Sequence, residues 1–459
     1  MNGLALENIE NIYFLGIGGI GMSALAQYFK VTGKNVAGYD RVNTTLTQSL
    51  EKQGIAIHYN DDVGLIPEAF LQKDKTLVVR TPAVPANHSE LCFMQAEGFQ
   101  MYKRAQVLGH LFNSKKGVAV AGTHGKTSIS SILSYLLQGS GFDNSAFLGG
   151  IVKNYNSNYI IGKSDWIVTE ADEYDRSFLQ LFPKAAIVTA MDADHLDIYA
   201  DHNDLVETFN KFIDQITPGG ILLYKKGLPV NAGNELKKYT YAFEDSSADF
   251  YAKNARVENG RYIFDWVTPD ITLSDFSIQI LGKVNIENSI AALSMAYLQG
   301  ANPDELRTIL PEFEGIKRRM DKQFENDEVV YIDDYAHHPC ELEAAISSVR
   351  AMYPGKKITG VFQPHLFTRT RDFADGFAES LSALDEVFLL DIYPAREEPI
   401  PGVTSEIIFK HITQEQKQNC SKENLLNTLK GQYIQVLLTL GAGDIDQLVE
   451  PIRNMLANE

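Results

Sequence analysis

An α/β fold arranged as three successive units is what this 459-residue sequence predicts. Two observations point to it. Apolar strand-like runs alternate with helical patterns along the whole chain, and a strand–loop–helix beginning recurs near residues 12, 117 and 329. The length also matches about three cores of ordinary domain size. We set the expected boundaries at 1–110, 111–319 and 320–459.

The first unit opens with the short apolar run Ile12–Leu15, followed by Gly16-Ile17-Gly18-Gly19-Ile20-Gly21. Leu25, Tyr28 and Phe29 then fall on one helical face, Gly33 is a stop, and Val36–Tyr39 starts a second strand. Strand, helix and strand in this order favour a parallel sheet. In the second unit 117–121 reads as a buried strand, and Ile129, Ile132, Leu133 and Leu136 follow the i, i+3, i+4, i+7 spacing of one helical face. Gly139-Ser140-Gly141 ends that helix, and the strands 166–169 and 185–189 are each followed by acidic residues. Polar groups at the carboxyl ends of strands are where open α/β sheets bind ligands. In the third unit 329–332 and 358–362 read as strands around a helical stretch at 341–352, and 386–391 and 436–440 continue the alternation.

Composition narrows the function. Hydrophobic residues make up 44% and charged residues 22%, the mix of a globular protein. A formal net charge of -18 argues against a duplex nucleic-acid partner, which calls for a basic surplus. The three cysteines, Cys92, Cys340 and Cys420, form no C-x-x-C pair and no disulfide framework, so a reducing compartment is expected. The opening residues lack a basic leader, and no apolar run approaches the roughly 18 residues of a membrane span. The expectation is a soluble cytoplasmic protein with no membrane or nucleic-acid partner; the oligomeric state is not legible.

The strongest local signal is Gly122-Thr123-His124-Gly125-Lys126-Thr127-Ser128, between a strand and a helix. Glycines let backbone N–H groups turn toward phosphate oxygens, and the helix N-terminus adds a favourable dipole. In such a loop Lys126 reaches the β- and γ-phosphates and the Thr127 hydroxyl ligates Mg²⁺. The usual spacing wants glycine at position 120, where this chain has Val120, so the loop is a variant. A plain glycine turn capping a helix is the weaker alternative.

The earlier loop, 16–21, matches G-x-G-x-x-G after a strand, and Asp40 follows at the spacing of a ribose-binding carboxylate. That suggests NAD, but a glycine loop at a helix N-terminus suits any pyrophosphate, a UDP group included. Glu170-Ala171-Asp172-Glu173-Tyr174-Asp175 closes another strand, where one carboxylate is able to hold Mg²⁺ or the run is a solvated turn. Asp192-Ala193-Asp194-His195 is equally ambiguous. In the third unit 333–339 and 363–371 put His337, His338, His365, Arg369 and Arg371 at the ends of what read as neighbouring strands, a pattern suited to phosphate or carboxylate recognition. Gly441-Ala442-Gly443-Asp444 reads as a turn and helix cap.

Taken in order, GIGGIGM, GTHGKT, EADEYD, DADHLD, NIENSIAA, GIKRR, DDYAHHP, FQPHLFTRTRD, IYPAREEPIPG and GAGD resemble the Mur ligases of peptidoglycan synthesis over nearly the whole chain. The resemblance implies an N-terminal Rossmann-like domain for a UDP-sugar, a central P-loop ATPase domain and a C-terminal Rossmann-like domain. It implies ATP and Mg²⁺ as cofactors. Gly16, Gly18 and Gly19 would then cradle the sugar-nucleotide phosphates, and residues 122–128 would hold ATP with Lys126 on the phosphates. One Mg²⁺ is assigned to Thr127 and Glu170 and a second to His195, with Asn288 by adenine and Arg319 and Asp334 near the nucleotide. Tyr335, His337, His365 and Arg369 would face the sugar nucleotide and its carboxylate, with His337 a candidate base. The FTRTRD segment leans toward the alanine-adding branch, hence UDP-N-acetylmuramic acid and L-alanine as substrates, over the branch that recycles a tripeptide. Leu366 and Val284 depart from the family pattern, which has Arg and His there. An NAD-dependent dehydrogenase is the distant alternative.

Overall fold

The computed structural model describes residues 6–192, 198–258, 260–280, 282–395 and 397–458. These form three sheets distributed over two compact units. The first unit comprises the described residues up to Arg256 together with Ile263–Ile278 and Ile286–Phe313; the second takes Val257–Tyr262, Gln279–Asn285 and the chain from Glu314 onward.

The first sheet has five strands, in the spatial order Ala56–His58, Asn35–Tyr39, Asn11–Leu15, Thr76–Arg80 and Gln100–Lys103, all parallel. Asn11–Leu15 is buried along its whole length, as expected of a central strand covered on both faces. The chain order reverses beside it, so the glycine loop that follows opens at the switch point of the sheet. The helix Ile20–Val31 packs Leu25 and Phe29 onto this sheet, in line with the sequence spacing.

The second sheet has ten strands and, apart from the segment Val257–Tyr262, belongs to the same unit. Lys116–Ala121 lies near its middle, flanked by Ala185–Val188 on one side and Trp166–Ala171 on the other, all parallel. Val118 to Ala121 are fully buried, and the helix Lys126–Gly139 covers them with Ile129, Ile132, Leu133 and Leu136. Burying four such side chains contributes about 1.5–3 kcal/mol each and fixes the helix start over the strand end.

In the second unit a six-stranded sheet runs Asp321–Glu325, Val330–Asp334, Val436–Leu440, Ile358–Phe362, Glu386–Leu389 and Lys417–Asn419; only the first pair is antiparallel. One expectation changes here. Val330–Asp334 and Ile358–Phe362 do not pair with each other, because the last strand, Val436–Leu440, inserts between them and pairs with both. Its apolar run, buried at every position, needs partners on both edges and neighbours on both faces, and only a central slot supplies them. No helix among the described residues is long and apolar enough to cross a membrane.

Candidate active site

The phosphate-type loop leaves its strand at Ala121 and enters the helix at Lys126. Val120, where the common spacing has glycine, is a core strand residue paired with Glu170, so the loop simply begins later, at Gly122. Gly122 has φ +139°, and a Cβ there would lie 1.9 Å from Thr189 Oγ1, so no other residue fits. Gly125, in the left-handed region, caps the helix. The loop is held from the next strand end: Thr123 N donates to Ala190 O at 3.1 Å, Asp192 N donates to Thr123 Oγ1 at 3.2 Å, and the Thr189 hydroxyl donates to His124 O. His124 lies 3.6 Å from the Asp192 carboxylate, and Ser128 is half-buried on the first helical turn.

Lys126 turns back over this loop. Its Nζ donates to Gly122 O at 2.6 Å and to both oxygens of Glu173 at 2.9 and 2.8 Å. Burial by itself would lower the Lys126 pKa; the Glu173, Asp172 and Glu170 carboxylates outweigh it and hold the ammonium above its ordinary value. Glu173 is fully buried, and Tyr199 donates to its carbonyl at 2.6 Å. In the sequence Glu173 is one member of an acidic run, and its signal is a further carboxylate two residues past the strand end.

Glu170 ends the neighbouring strand and gathers donors. Thr127 Oγ1 donates to Glu170 Oε2 at 3.2 Å, Ser130 Oγ to Oε1 at 3.4 Å, and Gly149 N to Oε1 at 2.5 Å. A hydroxyl and a carboxylate on converging elements form the hard-oxygen pair that Mg²⁺ prefers, so these residues fit that ion. His195 lies outside the described residues. Asn288, buried on the helix Val284–Leu298, packs against the loop, its Oδ1 3.1 Å from where a Gly125 Cβ would stand.

After Glu173 the chain turns sharply: Asp175 and Arg176 both have φ +53°. Such positions cost about 1–3 kcal/mol each for residues other than glycine. Side-chain pairs hold the turn, Arg176 with Asp204 at 2.7 Å and Lys103 with Asp175 at 2.6 Å. Arg104 lies 3.5 Å from Asp172, so the end of the first sheet is tied to this acidic loop. None of the basic partners was singled out from sequence.

The first glycine loop is built differently. Gly16 N and Ile17 N donate to Tyr39 O at 2.8 and 3.0 Å, Gly19 caps the helix, and Gly18 N donates to Asp40 Oδ2 at 2.7 Å. Asp40 therefore folds back onto the loop. No lysine stands in this turn.

Within the second unit, His337 sits among aromatic rings, 5.2 Å from Tyr335 and 6.1 Å from His365 between centroids. His337 Nδ1 is 3.0 Å from Tyr335 O. A carbonyl only accepts, so Nδ1 carries the proton and Nε2 the lone pair. Burial lowers the His337 pKa, against the Glu341 carboxylate and with the help of Arg369. Arg369 lies on the helix Phe367–Asp372, which starts at Leu366 with φ +69°. His365 stacks on Tyr393 at 5.9 Å. The guanidinium groups of Arg318 and Arg319 lie 5.2 and 5.1 Å from the Tyr335 ring. Asp334 accepts from Met320 N at 2.6 Å and Ala336 N at 2.8 Å, and burial pushes its pKa up to about 6 despite Arg319 and those amides. The loop after the inserted last strand is more than a cap. Arg318 donates to the carbonyls of Gly441 and Gly443, and Gln363 Nε2 donates to Asp444 at 2.7 Å. These contacts gather the three loops, so the loops around His337 and His365 still meet although a strand separates their roots.

A phosphate-type loop with a charged lysine, a hydroxyl–carboxylate pair beside it and parallel sheets on either side of the sequence define a nucleotide-binding α/β enzyme. Family models match in order along the chain: Mur ligase family, catalytic domain, at residues 11–116; Mur ligase middle domain at 120–296; and Mur ligase, glutamate ligase domain, at 318–445. The chain is 51% identical over 457 residues to the UDP-N-acetylmuramate–L-alanine ligase of Parabacteroides distasonis, covering 99% of each. It is 48% identical over 452 residues to the ligase of that name from Porphyromonas gingivalis, covering 98% of this chain and 99% of the relative. Among solved structures, the UDP-N-acetylmuramate-alanine ligase of Thermotoga maritima superposes with TM-score 0.84 at 24% identity, covering 98% of this chain and 99% of that one. The murein peptide ligase of Psychrobacter arcticus follows at TM-score 0.71 and 21% identity, with 98% and 99% coverage. The protein belongs to the Mur ligase family, an ATP-dependent ligase family with this three-domain α/β fold.

Proposed function

We propose that this protein joins L-alanine to the carboxylate of UDP-N-acetylmuramic acid, with ATP cleaved to ADP and phosphate, in cytoplasmic synthesis of peptidoglycan precursors. The observation that carries the reading is Lys126, held charged at the mouth of the Gly122–Gly125 loop by a fully buried Glu173, in a chain so similar to ligases of that name.

In this reading the muramoyl carboxylate oxygen attacks the γ-phosphorus of ATP, ADP leaves, and an acyl phosphate results. Both reactants are anionic, so catalysis rests on positioning and charge. Backbone N–H groups of the turn from His124 to Lys126 take phosphate oxygens, Thr123 N being held by Ala190 O, and Lys126 exchanges Glu173 for the transferring phosphoryl group. Thr127 and Glu170 would hold Mg²⁺, with His195 on a second ion; Mg²⁺ supplies further charge neutralisation when bound. Asn288, packed against Gly125, is assigned to adenine, and Arg319 and Asp334 to the nucleotide. Gly16, Gly18 and Gly19 are assigned to the sugar-nucleotide pyrophosphate.

The amine of L-alanine then attacks the acyl carbon. Phosphate leaves, and the amine nitrogen gives up a proton. His337 Nε2, neutral and with its lone pair available, is the acceptor we assign. Tyr335, His365 and Arg369 complete a cationic, aromatic cluster suited to the sugar-nucleotide carboxylate. ADP release with UDP-N-acetylmuramic acid as acceptor, compared across L-alanine and a tripeptide, tests the reading. Release driven by the tripeptide alone, or by neither amine, would contradict it.

A further inference from the structure

The N-terminal domain carries a second cluster of ligand-type side chains away from both glycine loops. Asp61, His88 and Glu90 bring one ligand atom each within 4.8 Å of one another. His88 Nδ1 lies 3.3 Å from Asp61 Oδ1, and His58 Nε2 lies 3.5 Å from Glu90 Oε1. Tetrahedral ligands at about 2.0–2.1 Å from a metal stand roughly 3.3 Å apart, so the His88–Asp61 separation matches an edge of such a polyhedron.

Burial separates this cluster from an ordinary surface group of acids. Glu90 is fully buried and His88 is 5% exposed, yet neither ring nitrogen of His88 nor Glu90 Oε1 has a hydrogen-bond partner. Leaving such groups buried and unmatched costs about 1–3 kcal/mol each. Tyr39, its ring 4.4 Å from that of His88, closes one side. Asp61 also caps the helix Ser89–Ala96, accepting from Ser89 N at 3.0 Å, and this ties the loop carrying it to the start of that helix.

His58 stands beside the cluster and outside it. Its Nδ1 is 2.9 Å from Asn60 O, a carbonyl that only accepts, so Nδ1 carries the proton and Nε2 faces the Tyr13 hydroxyl at 2.8 Å. The same hydroxyl lies 2.6 Å from Glu90 Oε2, so Tyr13 holds that oxygen and leaves Oε1 turned inward. Burial lowers the His88 pKa, keeping the imidazole neutral as a ligand requires, and pushes Glu90 up to about 7, a proton that metal binding would displace.

We propose that Asp61, His88 and Glu90 form a structural site for a first-row transition dication such as Zn²⁺, with solvent in the fourth position. An imidazole nitrogen with two carboxylates suits that class better than Mg²⁺, which favours an all-oxygen set. A bound ion would join the loop after the strand Ala56–His58 to the helix Ser89–Ala96.

Full-length protein stripped by chelation and titrated with Co²⁺ tests this. The expected result is a stoichiometric visible d–d absorption of tetrahedral character, displaced by Zn²⁺, together with a Zn²⁺-dependent rise in Tm. His88→Asn and Asp61→Asn should weaken Co²⁺ binding by about 100-fold or more, whereas Glu170→Gln should leave it unchanged. Asp61 is the more exposed of the two ligands, so Asp61→Asn decides if His88→Asn fails to fold. No absorption in the parent protein overturns the proposal. So does absorption that survives both substitutions, or that disappears with Glu170→Gln.

Discussion

The two glycine loops of the first unit follow the same plan, a buried parallel strand, a glycine turn and a helix, yet they are chemically unlike. At Gly18 the loop amide is taken by Asp40, and the guanidinium packed against Gly21 is that of Arg104, which comes from a later helix and faces Asp172 at 3.5 Å. At Gly122 the turn carries Lys126, and a buried carboxylate keeps that lysine charged and folded over the loop. Glycine and a helix N-terminus supply backbone donors in both places. Only the second loop adds a positive charge that can follow a moving phosphoryl group. A glycine fingerprint therefore announces anion binding, and the side chains around it decide whether chemistry accompanies the binding.

The largest expected effect comes from removing that charge. Lys126→Ala should lower ADP formation by about 10³-fold or more while UDP-sugar binding, measured by calorimetry, stays within error. It also strands Glu173 in the interior, a loss of about 3–5 kcal/mol visible as a fall in Tm. Adding Glu173→Gln should recover much of the Tm and none of the turnover; recovered turnover would refute the role of Lys126.

Glu170→Gln is next. It should weaken the Mg²⁺ dependence of ADP release by about 10–100-fold, with rate partly restored at high Mg²⁺. An unchanged Mg²⁺ titration would remove Glu170 from the metal assignment. At the first loop, a Cβ on Gly18 meets Asp40 Oδ2 at 2.8 Å and Thr47 Cγ2 at 2.7 Å. Gly18→Ala should raise the KM for the UDP-sugar by about 10-fold, the worth of one lost charge-assisted contact, and leave the KM for ATP alone. A change confined to ATP would reverse the assignment of the two loops.

Two smaller effects belong to the second unit and serve as contrasts. His337 must be neutral to accept a proton, and burial holds its pKa below the ordinary imidazole value of about 6.5. The rate should stay flat down to that region and fall only in more acidic buffer. His337→Asn should slow the reaction and abolish this limb. Asp334 behaves in the opposite sense for stability. Its folded pKa, about 6, lies above an unfolded value of about 3.9, so its favourable share is complete below the unfolded pKa and is lost as pH rises through 6. The difference amounts to about 3 kcal/mol. The ¹³C shift of its carboxyl should titrate near 6, and a midpoint near 4 would dismiss the shift.

Much of the fold was legible because its signals are local. The strand runs at 12–15, 117–121, 358–362 and 436–440 and the helical face of Ile129, Ile132, Leu133 and Leu136 all appear where the periodicity placed them. The variant loop was legible too, although its missing glycine made sense only once Val120 was seen buried in a strand. Glu173 went unnoticed because its partner is 47 residues away, and no spacing rule links them. The pairing of Val330–Asp334 and Ile358–Phe362 was misjudged because strand order depends on where a later strand inserts.

By itself the sequence determined the α/β class, the strand–glycine–helix turns and the ordered motifs that mark the family, since each rests on residues near one another along the chain. Only the tertiary structure decided which carboxylate meets Lys126, which nitrogen of His337 keeps its lone pair, and that Asp61, His88 and Glu90 converge. Those outcomes depend on distance, burial and hydrogen-bond direction between distant segments. Packing sets these quantities, and composition does not encode them one position at a time.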